Sequence, residues 1–204
     1  MIARVLESKA QPSRAGALIL PWLRATSIGW TVGFILILIL IAVSSVIGLG
    51  ETQFAIGLGM GAGVGLLQAP IITAIQGNGR RWFIASAIGI ATPFVVSDTL
   101  RLTTITMRYS LPVLIVCGGF VVGLLQWRLL RTRGRNSAWW IMASVLGWAS
   151  AGSMVLVNDR LLPRIPGIVG ALLYIGVVLL GGLLLGAIGG FTLSRIAGPD
   201  SVRI

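Results

Sequence analysis

Six long apolar runs, joined by short polar segments, limit this chain more than any other feature of its sequence. They cover approximately residues 24–48, 53–76, 82–99, 111–130, 138–157 and 167–194. A helix needs roughly 20 apolar residues to cross the hydrocarbon core of a bilayer, and each run reaches or approaches that length. The third is interrupted by Pro93 and carries Asp98 near its end, yet omitting it would put the adjacent loops on the wrong sides. In water these runs would have no compatible face: 56% of residues are hydrophobic, 10% are charged and mean hydropathy is +0.97. The expected fold class is all-α, an integral membrane protein of six transmembrane helices.

Charge orients the spans. Arg4, Lys9, Arg14, Arg24, Arg80, Arg81, Arg128, Arg131, Arg133, Arg135, Arg195 and Arg203, twelve of the sixteen basic residues, fall in one alternating set of segments. Arg101, Arg108, Arg160 and Arg164 fall in the other, beside Glu51, Asp98 and Asp159. Cytoplasmic loops carry the excess of Lys and Arg, so both termini are expected inside. Residues 1–21 are expected to form a cytoplasmic tail, with 15–20 lying amphipathically on the membrane surface. No cleaved signal peptide is expected, because the first apolar run has the length of a full span. Residues 22–195 form the membrane domain and 196–204 a second tail. The net charge of +11 would suggest nucleic acid in a soluble protein. Distributed over short loops it reads as a topology signal, and no nucleic-acid partner is expected.

Within this frame the sequence repeats itself. Three odd-numbered spans open with Trp22-Leu-Arg-Ala25-Thr26-Ser-Ile-Gly29, Trp82-Phe-Ile-Ala85-Ser86-Ala-Ile-Gly89 and Trp140-Ile-Met-Ala143-Ser144-Val-Leu-Gly147. The even-numbered spans carry Gly61-x-x-x-Gly65-Leu-Leu-Gln68, Gly119-x-x-x-Gly123-Leu-Leu-Gln126 and Gly182-x-x-x-Gly186-Ala-Ile-Gly189. Gln68 lies 14 residues before Trp82, and Gln126 lies 14 before Trp140. Two motifs recurring in phase point to three helical hairpins, about 22–76, 82–130 and 138–194. Because the hairpins share orientation, the expected arrangement is a pseudo-threefold bundle of parallel repeats, with its axis along the membrane normal.

Spacing suggests what the motif residues do. Residues at 0, 3 and 7, or at 0, 4 and 7, share one helix face. Small residues there let helix backbones approach, in a solvent that gives apolar helices no hydrophobic reason to associate. Ala25, Gly29, Ala85, Gly89, Ala143 and Gly147, with Gly61, Gly65, Gly119, Gly123, Gly182, Gly186 and Gly189, are therefore expected at helix–helix or partner contacts. Gln68 and Gln126 are expected to bond across helices, and Thr26, Ser86 and Ser144 to bond their own backbone or a neighbour. Trp22, Trp82, Trp127, Trp139 and Trp140 are expected as anchors at the membrane–water interface. Gly189, standing where the other copies have glutamine, argues against a symmetric polar pore. It favours packing, or a close approach of the last helix to a partner.

The segments Gly123-Leu-Leu-Gln126-Trp127 and Ala138-Trp139-Trp140 resemble the recurring G-x-x-Q-W and A-x-W-W segments of a group of bacterial six-transmembrane proteins. The resemblance covers residues 22 to 195. It implies the six-span topology and carries no established activity.

Reactive chemistry is sparse. There is no histidine and one cysteine, Cys117, within an apolar run. No Walker-type, H-E-x-x-H or paired-carboxylate pattern occurs, and no nucleophile has a histidine to activate it. An enzyme is not expected, nor a metal site or an evident cofactor, although surface grooves leave room for pigment or lipid. Asp98 has two readings: a cation or gating site, or an interfacial carboxylate that pairs with Arg101 or caps the next segment. Residues 99–106, rich in threonine, read as a connecting loop, or as an outer segment that docks a partner or lines a vestibule. Arg128, Arg131, Arg133 and Arg135 suit anionic lipid headgroups as well as topology. Two functions are consistent with these residues. One is a non-catalytic accessory or scaffold subunit, packed with other integral subunits in a respiratory or photosynthetic complex. The other is a small transporter, permease component or channel for a neutral solute, which would require an open bundle interior. The expected location is a bacterial cytoplasmic membrane, or an intracytoplasmic or thylakoid-type one.

Overall fold

The computed structural model describes residues 16–49, 52–102, 110–132, 135–161 and 165–197. Among them it is all-helical, with six helices long and apolar enough to cross a membrane, as in a multi-pass membrane protein. They are α1 (Ile19–Val46), α2 (Phe54–Gln76), α3 (Gly79–Arg101), α4 (Ser110–Leu130), α5 (Trp139–Leu161) and α6 (Gly167–Ala197). Short 3-10 turns over Gly16–Leu18 and Arg135–Ala138 lead into α1 and α5.

The helices extend beyond the hydropathy windows. α1 begins inside the segment expected to be a surface tail. Pro21 does not prevent this, because it stands in the first helical turn, where an N–H would have no partner within the helix. Leu18 and Trp22 on either side of it are buried. α3 likewise runs through Pro93, which is itself buried. Of the polar segment 99–106, residues 99–101 complete α3, and 103–109 lie outside the described residues. The link between α2 and α3 is the tightest. Gly77 ends α2 at φ 75°, a left-handed conformation that favours glycine. Its N–H bonds the Thr73 carbonyl at 2.8 Å.

Each helix packs on its neighbours in sequence, and α6 returns to pack on α1, so the six close a ring. Glycine makes this closeness feasible, and α2 shows how. Gly57, Gly61 and Gly65 face α3, where a Cβ on Gly57 would come within 2.8 Å of the Ile90 carbonyl and one on Gly61 would meet the Ser86 carbonyl. Gly59 and Gly63, on another side of the same helix, press against Ile37 and Gly33 of α1. One helix thus carries a small-residue face for each neighbour.

Large apolar side chains face outward around the ring, including Leu38 at 68% exposed and Ile168 at 76%. Lipid is the solvent in which such a belt is stable. Inside are two apolar layers. One, built on Trp22, Trp82 and Trp140, lies at the end of the bundle that carries Arg24, Arg80, Arg81 and Arg128. The other, with Trp30, Ile90 and Trp148, lies nearer the opposite end.

Candidate functional site

The site with most internal organisation is the tryptophan layer at the arginine-rich end. Trp22, Trp82 and Trp140 open α1, α3 and α5, the alternate helices of the ring. Their rings meet edge-on at the bundle axis, with centroids 5.7, 5.7 and 5.4 Å apart. Aromatic pairs prefer this geometry because a positive edge meets a negative face.

None of the three is an interfacial anchor: Trp22, Trp82 and Trp140 are 1%, 0% and 4% exposed. For Trp82 and Trp140 the physical reason is an acceptor supplied by protein instead of water, and Trp22 is enclosed by the other two rings. Trp82 Nε1 donates to Gln68 Oε1 at 3.0 Å, and Trp140 Nε1 to Gln126 Oε1 at 2.8 Å. Each glutamine then passes the chain on. Gln68 Nε2 donates to Thr26 Oγ1 at 2.9 Å, and Gln126 Nε2 to Ser86 Oγ at 2.9 Å. A glutamine on α2 therefore ties α3 to α1, and one on α4 ties α5 to α3. Ser86 completes its valence by donating to its own Trp82 carbonyl. Ser144 instead donates to the Gly119 carbonyl of α4. Of the other tryptophans, Trp139 is 66% exposed, as an interfacial ring would be, and Trp127 is half-buried.

The small residues of the motifs are accounted for by these helix contacts. Gly29 packs on Val64, Gly89 on Val122 and Gly147 on Leu185, joining α1 to α2, α3 to α4 and α5 to α6. Gly61 and Gly65 face α3, Gly119 and Gly123 face α5, and Gly182 and Gly186 face Trp30 and Leu23 of α1. Ala85 and Ala143 are buried and Ala25 is half-buried. The expectation left internal and partner-facing glycines unseparated; all seven glycines of the even-helix motif point inward.

Gly189 breaks the hydrogen-bond series. On α6 it stands where Gln68 and Gln126 stand on α2 and α4, and a Cβ built on it would be 2.8 Å from Trp22 Nε1. The indole has moved into the space a glutamine would need. Gly189→Gln restores the sequence pattern, yet it is expected to destabilise the bundle by about 1–3 kcal/mol through overpacking. Unfolding in mixed detergent–SDS micelles would measure this, and a gain in stability would mean that the Trp22 ring can retreat.

Asp98 acts as a helix cap. Its two carboxylate oxygens accept from the Gln53 N–H at 2.9 Å each, and Oδ2 accepts from the Phe54 N–H at 2.8 Å. The carboxylate of α3 thus satisfies free donors at the start of α2, where the helix dipole also favours negative charge. It caps the preceding helix, not the following one. Asp98→Ala is expected to lower stability by about 1 kcal/mol, in the range of lost caps, by the same unfolding assay. Arg128 and Arg131 are exposed at the other end, Arg133 lies outside the described residues, and Arg135 opens a 3-10 turn.

Two features escaped the sequence reading. Trp30 and Trp148 form a second aromatic pair, 5.8 Å between centroids, and the Trp30 indole donates to the Val178 carbonyl at 2.9 Å. Each follows a motif tryptophan by eight residues, a signal present in the sequence. Asn158, 3% exposed, has no comparable sequence signal.

Open space on the axis is small where the two layers meet. A cavity of about 30 Å³ lies among Trp22, Gln68, Gln126, Ser144 and Trp148, the room of about one water molecule. Tryptophan, glutamine, serine and threonine do not titrate near neutral pH, so the arrangement packs and hydrogen-bonds through groups that keep one charge state. No known protein family, curated protein or solved structure matches the chain.

Proposed function

We infer that this chain is a non-catalytic integral membrane subunit, an accessory or scaffold element that packs beside other membrane proteins in a larger bacterial complex. In this reading the ring consists of three hairpin repeats about a pseudo-threefold axis, with the arginine-rich end and both termini in the cytoplasm. The carrying observation is that the groups able to line a polar path are bonded to one another. Gln68, Gln126, Thr26 and Ser86 all serve cross-helix hydrogen bonds, and three tryptophan rings occupy the axis beside them. A transporter or channel would have to part these rings and break these bonds in each cycle.

The outward surface supports the same reading. Among the helix glycines, Gly176 has no atom within 4 Å of where its Cβ would lie. Around it on α6, Ile168, Leu172 and Ile175 are exposed, so this helix half is free to meet lipid or another subunit.

Extraction of the native membrane in mild detergent should bring down integral partners in fixed stoichiometry through two successive columns. The purified chain in liposomes should take up glycerol or urea no faster than protein-free vesicles. Solute uptake by the chain alone would overturn the proposal and put transport in its place.

A further inference from the structure

Beyond the scaffold role, the half of the bundle opposite the tryptophan triad contains a cavity of about 220 Å³. All six helices contribute to its wall. Trp30, Ile90 and Trp148 line it on the side nearest the triad, and Asn158 lines it toward the other end. Trp148 also stands in the wall of the small axial cavity, so the two spaces share this ring. The wall is otherwise almost entirely apolar, with Phe34, Met60 and Phe94 among its members.

Asn158 distinguishes this space from a packing defect. The residue is 3% exposed, and its Oδ1 is buried with no hydrogen-bond partner. A buried amide oxygen left unpaired is costly, and native structures rarely keep one without a reason. Water alone is a poor occupant, because an ordered buried water needs two to four polar partners and this wall supplies few. An apolar cavity of 150 Å³ is large enough to take benzene. This one is larger and adds a single acceptor.

We propose that the cavity is a binding site for a small, neutral, ring-sized molecule that is mostly apolar and carries one hydroxyl or N–H, which donates to Asn158 Oδ1 once the amide turns toward the cavity that the residue lines. Apolar contact with Trp30, Phe34 and Phe94 supplies the bulk of the affinity, and the amide selects the donor. Ile41 and Tyr174, the exposed members of the wall, stand on α1 and α6. They place the mouth between these helices, open to the lipid side. The ligand enters from the membrane and does not pass through, since the Trp148 layer and the triad lie beyond it.

The test uses two probes of equal size, 4-fluorophenol and 4-fluorotoluene, which differ by a hydroxyl in place of a methyl. Each is titrated by fluorine NMR into the full chain in nanodiscs, with empty nanodiscs subtracting partition into lipid. Saturable binding of one 4-fluorophenol per chain is expected, about tenfold tighter than 4-fluorotoluene, the scale of one net hydrogen bond. Asn158→Leu should bring the two probes to equal affinity. It is expected to fold at least as well as the parent, because the amide oxygen it removes has no partner. Val155→Phe, which fills the cavity from α5, should abolish the saturable fraction for both. Equal affinities in the unaltered chain would make this a lipid-chain pocket and overturn the proposal. Absence of saturable binding, or a preference that survives Asn158→Leu, would overturn it too. Should either variant fail to run as a single species on size exclusion, the probe pair on the unaltered chain and the other variant still decide.

Discussion

Trp82→Ala lowers the stability of the bundle by about 3–5 kcal/mol, the expected cost of removing the largest side chain from a closed core. Trp82 is fully buried, touches both other rings of the triad and donates to Gln68. Its loss therefore removes two edge contacts, leaves the Gln68 carbonyl without its donor and opens a hole where three helices converge. Lipid supplies no hydrophobic compensation, so the loss is one of dispersion contacts and hydrogen bonding. Unfolding in mixed detergent–SDS micelles, followed by circular dichroism, measures the change. A double-mutant cycle of Trp82→Phe with Gln68→Leu isolates the hydrogen bond, with an expected coupling of about 0.6 and at most about 1.7 kcal/mol. A cost for Trp82→Ala below about 0.5 kcal/mol, the level of an ordinary surface change, would mean that the rings do not meet in the membrane.

Gly63→Val should be at least as severe. A Cβ at this position would overlap the backbone of Gly33 and lie 2.6 Å from the Gly29 carbonyl. Backbone on both helices cannot yield as a flexible side chain can, so α1 and α2 must separate along this face. A loss of about 3 kcal/mol or more, or failure to assemble, is expected from overpacking against two main chains. Gly176→Val is the control, since open space surrounds it and only an intrinsic propensity difference of a few tenths of a kcal/mol is expected. Similar losses at both positions would count against the close approach of α1 and α2.

The sequence was informative where one helix face carries the information and silent where a partner from another helix decides. The spans were legible because length and apolarity are properties of each run alone. The spacing of Gly61, Gly65 and Gln68 gathers them on one face, and in the structure all three meet α3. The placement of Trp22, Trp82 and Trp140 was misjudged because an isolated indole is amphipathic and belongs at the interface. For Trp82 and Trp140 burial is favoured by an acceptor brought from another helix, and for Trp22 by edge contacts with those two rings. That acceptor left a trace in the constant separation of 14 residues between each glutamine and its tryptophan. The trace was recognised as repetition and not as a hydrogen bond. Trp30 and Trp148 were overlooked because the middle copy has Ile90 at that place, which hides the recurrence. Asn158, beside Asp159 and Arg160, reads as the edge of a loop, whereas α5 continues to Leu161 and buries it. The spacing of Gly182, Gly186 and Gly189 marks a shared face of α6 but not what it meets, which is Trp30, Leu23 and Trp22 of α1.

Closure of the ring between its first and last members also sets an order of events during synthesis. Helices leave the ribosome from α1 to α6, so each can dock on its predecessor as it enters the bilayer. The seam between α1 and α6 is the exception. Until α6 arrives, the Trp30 indole lacks the Val178 carbonyl that accepts its proton, and Leu23 lacks the notch at Gly186. Helix α6 thus closes two flanks at once, and α1–α5 stand as an arc whose end helices, α1 and α5, are incompletely packed until α6 is in place.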